Sequence, residues 1–175
     1  MRPLVLSGGP AVGKSTCARR LAEDRDRAAF IDADDIRQLV VAGDETLWSG
    51  PAGREQHVLA ARNVAALARN LTDAGFAVTI ADVVTADALA AYRAELPDCL
   101  VVHLALPVGE ARERAATRTV YLTDDEFDLL HDLMSSPPDV DVVIDIAGMN
   151  VDEQTTAIRD VWESATHGGH EMGAE

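Results

Sequence analysis

At 175 residues the chain has the length of a single domain, and a chain of this size buries about 70% of the surface its unfolded form would expose, so it needs no disulfide or metal staple. Apolar residues make up 47% and charged residues 26%, which excludes a wholly disordered chain and a fibrous repeat. Against 15 basic residues stand 30 acidic ones, a formal net charge of −15, and so acidic a surface repels phosphate backbones and anionic lipid, which argues against long nucleic acids and membranes as partners.

The first apolar run, Leu4-Val5-Leu6, reads as a short buried strand and is too short for the core of a signal peptide. No apolar stretch reaches the roughly 18 residues that span a bilayer, and a cytoplasmic location is expected. A glycine turn leads into a helix over about Lys14 to Asp24. Ala29-Phe30-Ile31 forms a second strand, and the acidic cluster Asp32-Ala33-Asp34-Asp35 is suited to open a helix running to about Val41. Gly43 to Gly53 reads as a loop, followed by a long amphipathic helix over Arg54 to Ala74 that Gly75 terminates. Phe76 to Ala81, Leu100 to Leu106 and Val140 to Ile146 read as three more strands. Between and after them come helices over Asp87 to Leu96, Gly109 to Arg118, Thr123 to Met134 and Val151 to Ser164, the third opening in a capping box of Thr123 and Glu126. Residues 1–166 form one domain, and 167–175 are glycine-rich and expected to fray. Cys17 and Cys99 lie far apart inside apolar stretches and read as small buried thiols in a reducing compartment.

Strands alternating with helices at this spacing imply an α/β/α sandwich around a parallel sheet. Right-handed crossovers give five strands in the order 2-3-1-4-5, with the glycine turn at the C-terminal end of the central strand.

That turn is Gly8-Gly9-Pro10-Ala11-Val12-Gly13-Lys14-Ser15, which fits G-x-x-x-x-G-K-[ST] between a strand and a helix. Residues without side chains let the main chain wrap its N–H groups around phosphate oxygens, and the helix N-terminus adds a favourable dipole. Lys14 is then placed to reach the β and γ phosphates, Ser15 to bind Mg²⁺ and Thr16 to bond the α phosphate. Of the chain's basic residues 14 are arginine, and Lys14 is the only lysine.

With this loop the chain resembles, over about residues 3 to 163, the small P-loop kinases that phosphorylate hydroxyl groups, a group that includes gluconate kinase, the chloramphenicol phosphotransferase type and the kinase half of polynucleotide kinases. The resemblance implies ATP and Mg²⁺ as cofactors. Asp34-Asp35-Ile36-Arg37 is similar to the D-D-x-R segment of the polynucleotide kinase type, which makes Asp34 the expected base toward the acceptor hydroxyl and Arg37 a ligand of substrate or of the transferring phosphoryl. An N-cap aspartate with an i,i+3 partner gives the same local pattern, and Asp32 stands in reserve as base or metal ligand. Asp82 follows the third strand where these kinases carry a Mg²⁺-holding acid, although Ala81 intervenes between it and Ile80. Arg114 and Arg118 match the lid arginines of gluconate kinase and share one helix face. Gly148-Met149-Asn150 stands where the family packs the nucleotide base; an ordinary turn would read the same.

The family houses its acceptor in the loop and helix after the second strand, which brings Trp48, Arg54, His57 and Arg62 into view. Their plain alternatives are a core plug for Trp48 and a solvated helix residue for His57, while His131 and Asp128 read as surface. The expected activity is transfer of the γ-phosphoryl of ATP to a hydroxyl of a small molecule by a monomer or homodimer. A nucleoside or polynucleotide 5'-hydroxyl kinase and a non-catalytic ATP-binding regulator are the alternatives.

Overall fold

The structure is a computed structural model that describes residues 1–117 and 122–167; Arg118 and the tail beyond His167 lie outside the described residues. Its central strand, β1 (Leu4–Ser7), is buried along its whole length. Leu4 and Leu6 face one side, where they meet Leu21 of α1 (Lys14–Glu23) and Ile158 and Trp162 of α7 (Val151–His167). Val5 faces the other and packs with Val64, Ala65 and Ala68 of α3 (Pro51–Asp73) and with Leu89 and Tyr92 of α4 (Ala86–Glu95). A strand apolar on both faces belongs inside a covered parallel sheet. Around it stand β2 (Ala28–Asp32), β3 (Ala77–Ala81), β4 (Leu100–Ala105) and β5 (Val142–Asp145), all parallel, in the order β2-β3-β1-β4-β5. This is the expected fold.

The register positions the chemistry. Asp32 lies level with Ala81, and Ala81 with Leu6. The glycine loop, the acidic cluster and Asp82 therefore leave the sheet from one edge, the carboxyl edge at which α/β sheets bind ligands.

The helix after the acidic cluster is shorter than the sequence suggests: α2 covers Ala33–Arg37 and does not reach Val41. Its apolar continuation has no core to face, since Leu39 is 71% and Val41 93% exposed, and the chain leaves through tight turns from Leu39 to Ile36 and from Val40 to Arg37. In contrast α3 starts three residues before Arg54, because Gly50 takes a positive φ and Pro51 occupies the first turn, where its missing N–H costs nothing. Beyond the sheet, α5 (Val108–Ala115) ends before Arg118, and α6 (Asp124–Ser135) opens in the expected Thr123–Glu126 capping box.

Trp162 is wholly buried, its Nε1–H donates to the Arg2 carbonyl at 2.7 Å, and the Arg25 guanidinium sits 5.2 Å from its ring. Satisfying the one polar atom lets the indole act as a full apolar anchor between α7 and β1. Both cysteines are buried and free, and burial pushes the Cys99 thiol up to about 11. Among the described residues no helix is long and apolar enough to cross a membrane.

Candidate active site

The glycine loop departs from Ser7 at the end of β1. Gly8 has φ +141°, and a Cβ there would lie 2.7 Å from the Leu104 carbonyl oxygen, so no larger residue fits without moving backbone. Gly13 takes φ +98° to enter α1. Ala11, at φ 61°, is the one non-glycine among the described residues with positive φ, a strain of the kind that functional loops store. Lys14 Nζ donates to the Gly8 and Gly9 carbonyls at 2.8 Å each, folding its ammonium over the loop. His131 of α6, read from the sequence as a surface residue, instead packs on Gly9, with 3.3 Å between its Cδ2 and the position of a Gly9 Cβ, and stacks on Phe127.

The α1 N-terminus has no side-chain cap and no acidic residue in its first turn. Its positive dipole end therefore faces no carboxylate of its own first turn, which fits a nucleotide phosphate. Ser15 and Asp32 line the same cavity beside it. Among the described residues no cluster of three or more His, Cys, Asp or Glu could hold a metal alone; Mg²⁺ characteristically takes one or two protein oxygens, phosphate oxygens and water, and Ser15 with Asp32 fits that demand.

Asp32 caps α2, its carboxylate accepting from the Asp34 amide at 3.1 Å. Asp34 is exposed and accepts from Arg37 Nη1 at 2.5 Å. Arg37 Nη2 donates to Asp82 Oδ1 and to His57 Nδ1, the latter at 3.2 Å. Asp82 has a fully buried side chain. Its Oδ1 also accepts from the Val83 amide at 2.7 Å and its Oδ2 from the Tyr92 hydroxyl at 2.8 Å.

His57 Nε2 lies 2.7 Å from the Val83 carbonyl, which can only accept, so Nε2 carries the proton and Nδ1 accepts from Arg37. At 4% exposure His57 is a buried partner of Arg37, not the solvated helix residue expected as its plain alternative. Burial lowers its pKa; Asp82 works against that and the Arg37 charge with it. Burial likewise raises the Tyr92 phenol well above its usual value, with the Asp82 charge adding to the shift. For Arg37, burial pulls the pKa down, but Asp82 and Asp34 outweigh it and the guanidinium is held more firmly protonated than usual.

Arg114 stands apart. Its Nη2 donates to the Met149 carbonyl at 3.0 Å and lies 3.9 Å from Glu110, whose carboxylate accepts from the Gly148 amide at 3.0 Å. Gln154 Nε2 donates to the same Met149 carbonyl at 3.0 Å. Asn150 caps α7, accepting from the Asp152 and Glu153 amides, and Met149 packs partly buried against the core. This arrangement ties α5 and α7 to the loop after β5. Arg112 pairs with Asp128.

A cavity of about 860 Å³ gathers Pro10, Ala11, Lys14 and Ser15 from the glycine loop, Asp32, Asp34 and Arg37 from the acidic segment, and Asp82 from β3's end. Its outer wall is the segment between α2 and α3. Gln56 fastens that segment by donating to the Gly43 carbonyl at 2.6 Å and accepting from the Glu45 amide at 2.9 Å. Gly53 permits the close crossing, since a Cβ there would sit 1.8 Å from the Thr46 oxygen. Trp48, 36% exposed, lines the cavity and is no core plug; Arg54 and Arg62 are exposed and do not line it. Tyr92 and Gln154 carry no signal in the sequence beyond an ordinary helix stripe.

The sheet order, with a glycine loop on the central strand and helices on both faces, defines a P-loop kinase fold. The chain belongs to the AAA domain family, whose model matches residues 4–136. No curated protein matches it in sequence. Similar solved structures include an unliganded sugar kinase from Janibacter sp. HTCC2649, with TM-score 0.72 and 18% identity over 94% of this chain and 95% of that one. A gluconokinase from Sinorhizobium meliloti 1021 superposes with TM-score 0.68 and 14% identity over 97% and 98%. Shikimate kinase from Acinetobacter baumannii, in complex with shikimate, gives 0.63 and 20% over 94% of each. At these identities the likeness is one of fold.

Proposed function

We propose that the protein is an ATP- and Mg²⁺-dependent kinase that transfers the γ-phosphoryl group to a hydroxyl of a small molecule. The observation that carries this reading is the convergence of Lys14 and Ser15 with Asp34 and Arg37 on one cavity. The small-molecule kinases among the similar structures support it.

In this reading the main chain from Gly8 to Gly13 cradles the β-phosphate, Lys14 bridges to the γ-phosphate and Thr16 bonds the α-phosphate. Ser15 and Asp32 hold Mg²⁺, which when bound would neutralise charge on the phosphate oxygens. Asp82, expected from the family as a metal ligand, has both oxygens engaged by Arg37, Val83 and Tyr92, and we assign it to Arg37. Asp34 accepts the acceptor's hydroxyl proton as the new O–P bond forms. The bond from the γ-phosphorus to the β–γ bridging oxygen breaks, and ADP leaves. Such a base need not be strongly basic, because phosphoryl transfer is governed by position and charge. Arg114 and Arg118 supply charge from the lid side, and Gly148-Met149-Asn150 meets the base through Met149 and backbone. Residues 1–166 make up the kinase domain, acting as monomer or homodimer. An exposed carboxylate at the acceptor face, Asp34, favours a transferase over an ATP-sensing regulator.

The test is a thermal-shift screen of sugars, nucleosides and hydroxylated antibiotics with Mg²⁺ and a non-hydrolysable ATP analogue, followed by ADP release with ATP. A ligand at a hundred times its Kd stabilises by about 2.7 kcal/mol. The expected result is a compound that raises the melting temperature and stimulates ADP formation. ATP turnover that no acceptor stimulates would overturn the reading.

A further inference from the structure

We propose that Tyr92, which lies outside the cavity lining, is a positioning residue: its hydroxyl holds Asp82 in the orientation that pins Arg37 and so sets the acceptor-facing wall. The inference rests on the function proposed above. Tyr92 is wholly buried on α4, and its hydroxyl has one partner among the described residues, Asp82 Oδ2 at 2.8 Å. Phenylalanine would meet the same packing against α3 and β3, so the core requires the ring and Asp82 alone requires the oxygen.

The chain of contacts runs from there into the cavity. Asp82 Oδ1 faces Arg37 Nη2, His57 Nδ1 takes the other bond of that nitrogen, and Arg37 Nη1 holds Asp34. Of the five N–H donors of a guanidinium, these three contacts leave two that no described residue occupies. Three partners on separate elements fix the plane of the group and hence the direction in which the remaining donors meet an acceptor. Removing the Tyr92 hydroxyl leaves Asp82 Oδ2 buried without a donor. That carboxylate then gains by rotating toward another partner, and Arg37 loses its fixed orientation.

Tyr92→Phe tests the assignment. Nitrogen-15 NMR of the Arg37 side chain should show hindered guanidinium rotation in the wild type and averaging in the variant, while ATP–Mg²⁺ affinity stays within roughly twofold. With an acceptor found in the screen, KM for that acceptor should rise about tenfold or more, the scale of a lost hydrogen bond to a charged group, with a smaller change in kcat. Guanidinium signals unchanged by Tyr92→Phe would overturn the inference, as would a loosened Arg37 with an unchanged acceptor KM. If the wild type transfers phosphoryl to no acceptor, the kinase reading fails while the NMR arm still decides whether Tyr92 anchors Arg37. Should Tyr92→Phe not fold, 3-fluorotyrosine at position 92 reads the same linkage: its fluorine signal should shift on Arg37→Ala, and a signal that does not move overturns the inference.

Discussion

On one side of the cavity the glycine loop presents main-chain N–H groups and the chain's only lysine, on backbone held by the positive φ of Gly8, Ala11 and Gly13. On the other side Arg37, His57, Asp82 and Tyr92, from α2, α3, the end of β3 and α4, hold one another by side-chain bonds. In the proposed function the first wall recognises a phosphate chain, which every nucleoside triphosphate shares. The second is assembled from side chains on four separate elements, and in the proposed function it forms the acceptor site. Damage should therefore spread differently: backbone changes should strike nucleotide binding, and side-chain changes should strike the acceptor.

Trp162→Ala, remote from both walls, sets the scale. It should cost about 3–5 kcal/mol of stability in denaturant unfolding while leaving ATP affinity of the folded fraction intact; selective loss of ATP binding would break the division. Gly8→Ala should cost about 1–3 kcal/mol for its φ alone, with the Leu104 carbonyl clash in addition, and should reduce ATP affinity at least tenfold by calorimetry. Thr123→Ala, which removes the α6 cap, should cost about 1 kcal/mol and change neither wall. His57 sharpens the comparison through pH. Its pKa is depressed from the ordinary 6.5 by burial, so below that value the unfolded chain binds the extra proton and stability falls as pH falls, levelling off beneath the depressed folded pKa. His103, buried and also depressed, by burial first and then by the Lys14 charge, contributes a slope of the same sign. His57→Gln should therefore remove part of the acid loss seen in pH-dependent melts; an unaltered slope would show that His57 is not held neutral.

The same division governs what could be read from the chain. The glycine loop was legible because it is local: strand, turn chemistry and helix start lie within a dozen residues, and one lysine marks the spot. Sheet order followed from alternation and the handedness of crossovers. The i,i+3 pair of Asp34 with Arg37 was legible; the buried partner of Arg37 was not, because Asp82 is 45 positions away and its meeting with Arg37 depends on β2 and β3 pairing in one register. His57 looked solvated because a histidine on a helix usually is, although it falls on the buried stripe of Gly53, Ala60, Ala61 and Val64; its partners Val83 and Arg37 lie on other elements. Tyr92 sat in an apolar stripe where only the hydroxyl's partner separates a positioning group from a core residue. Leu39 and Val41 misled in the other sense, since apolar residues extend a helix only where something covers them.

The most direct test of the account is single-turnover phosphoryl transfer by Asp34→Asn beside calorimetric ATP binding, with Asp32→Asn and Asp35→Asn as controls. Asparagine keeps the shape and removes the charge and basicity, so transfer to the acceptor should fall by roughly 10²–10⁴, the range for a positioned general base, with ATP affinity little changed. Transfer at the wild-type rate in Asp34→Asn would contradict the account, whatever Asp32→Asn does, since Asp32 is assigned to Mg²⁺.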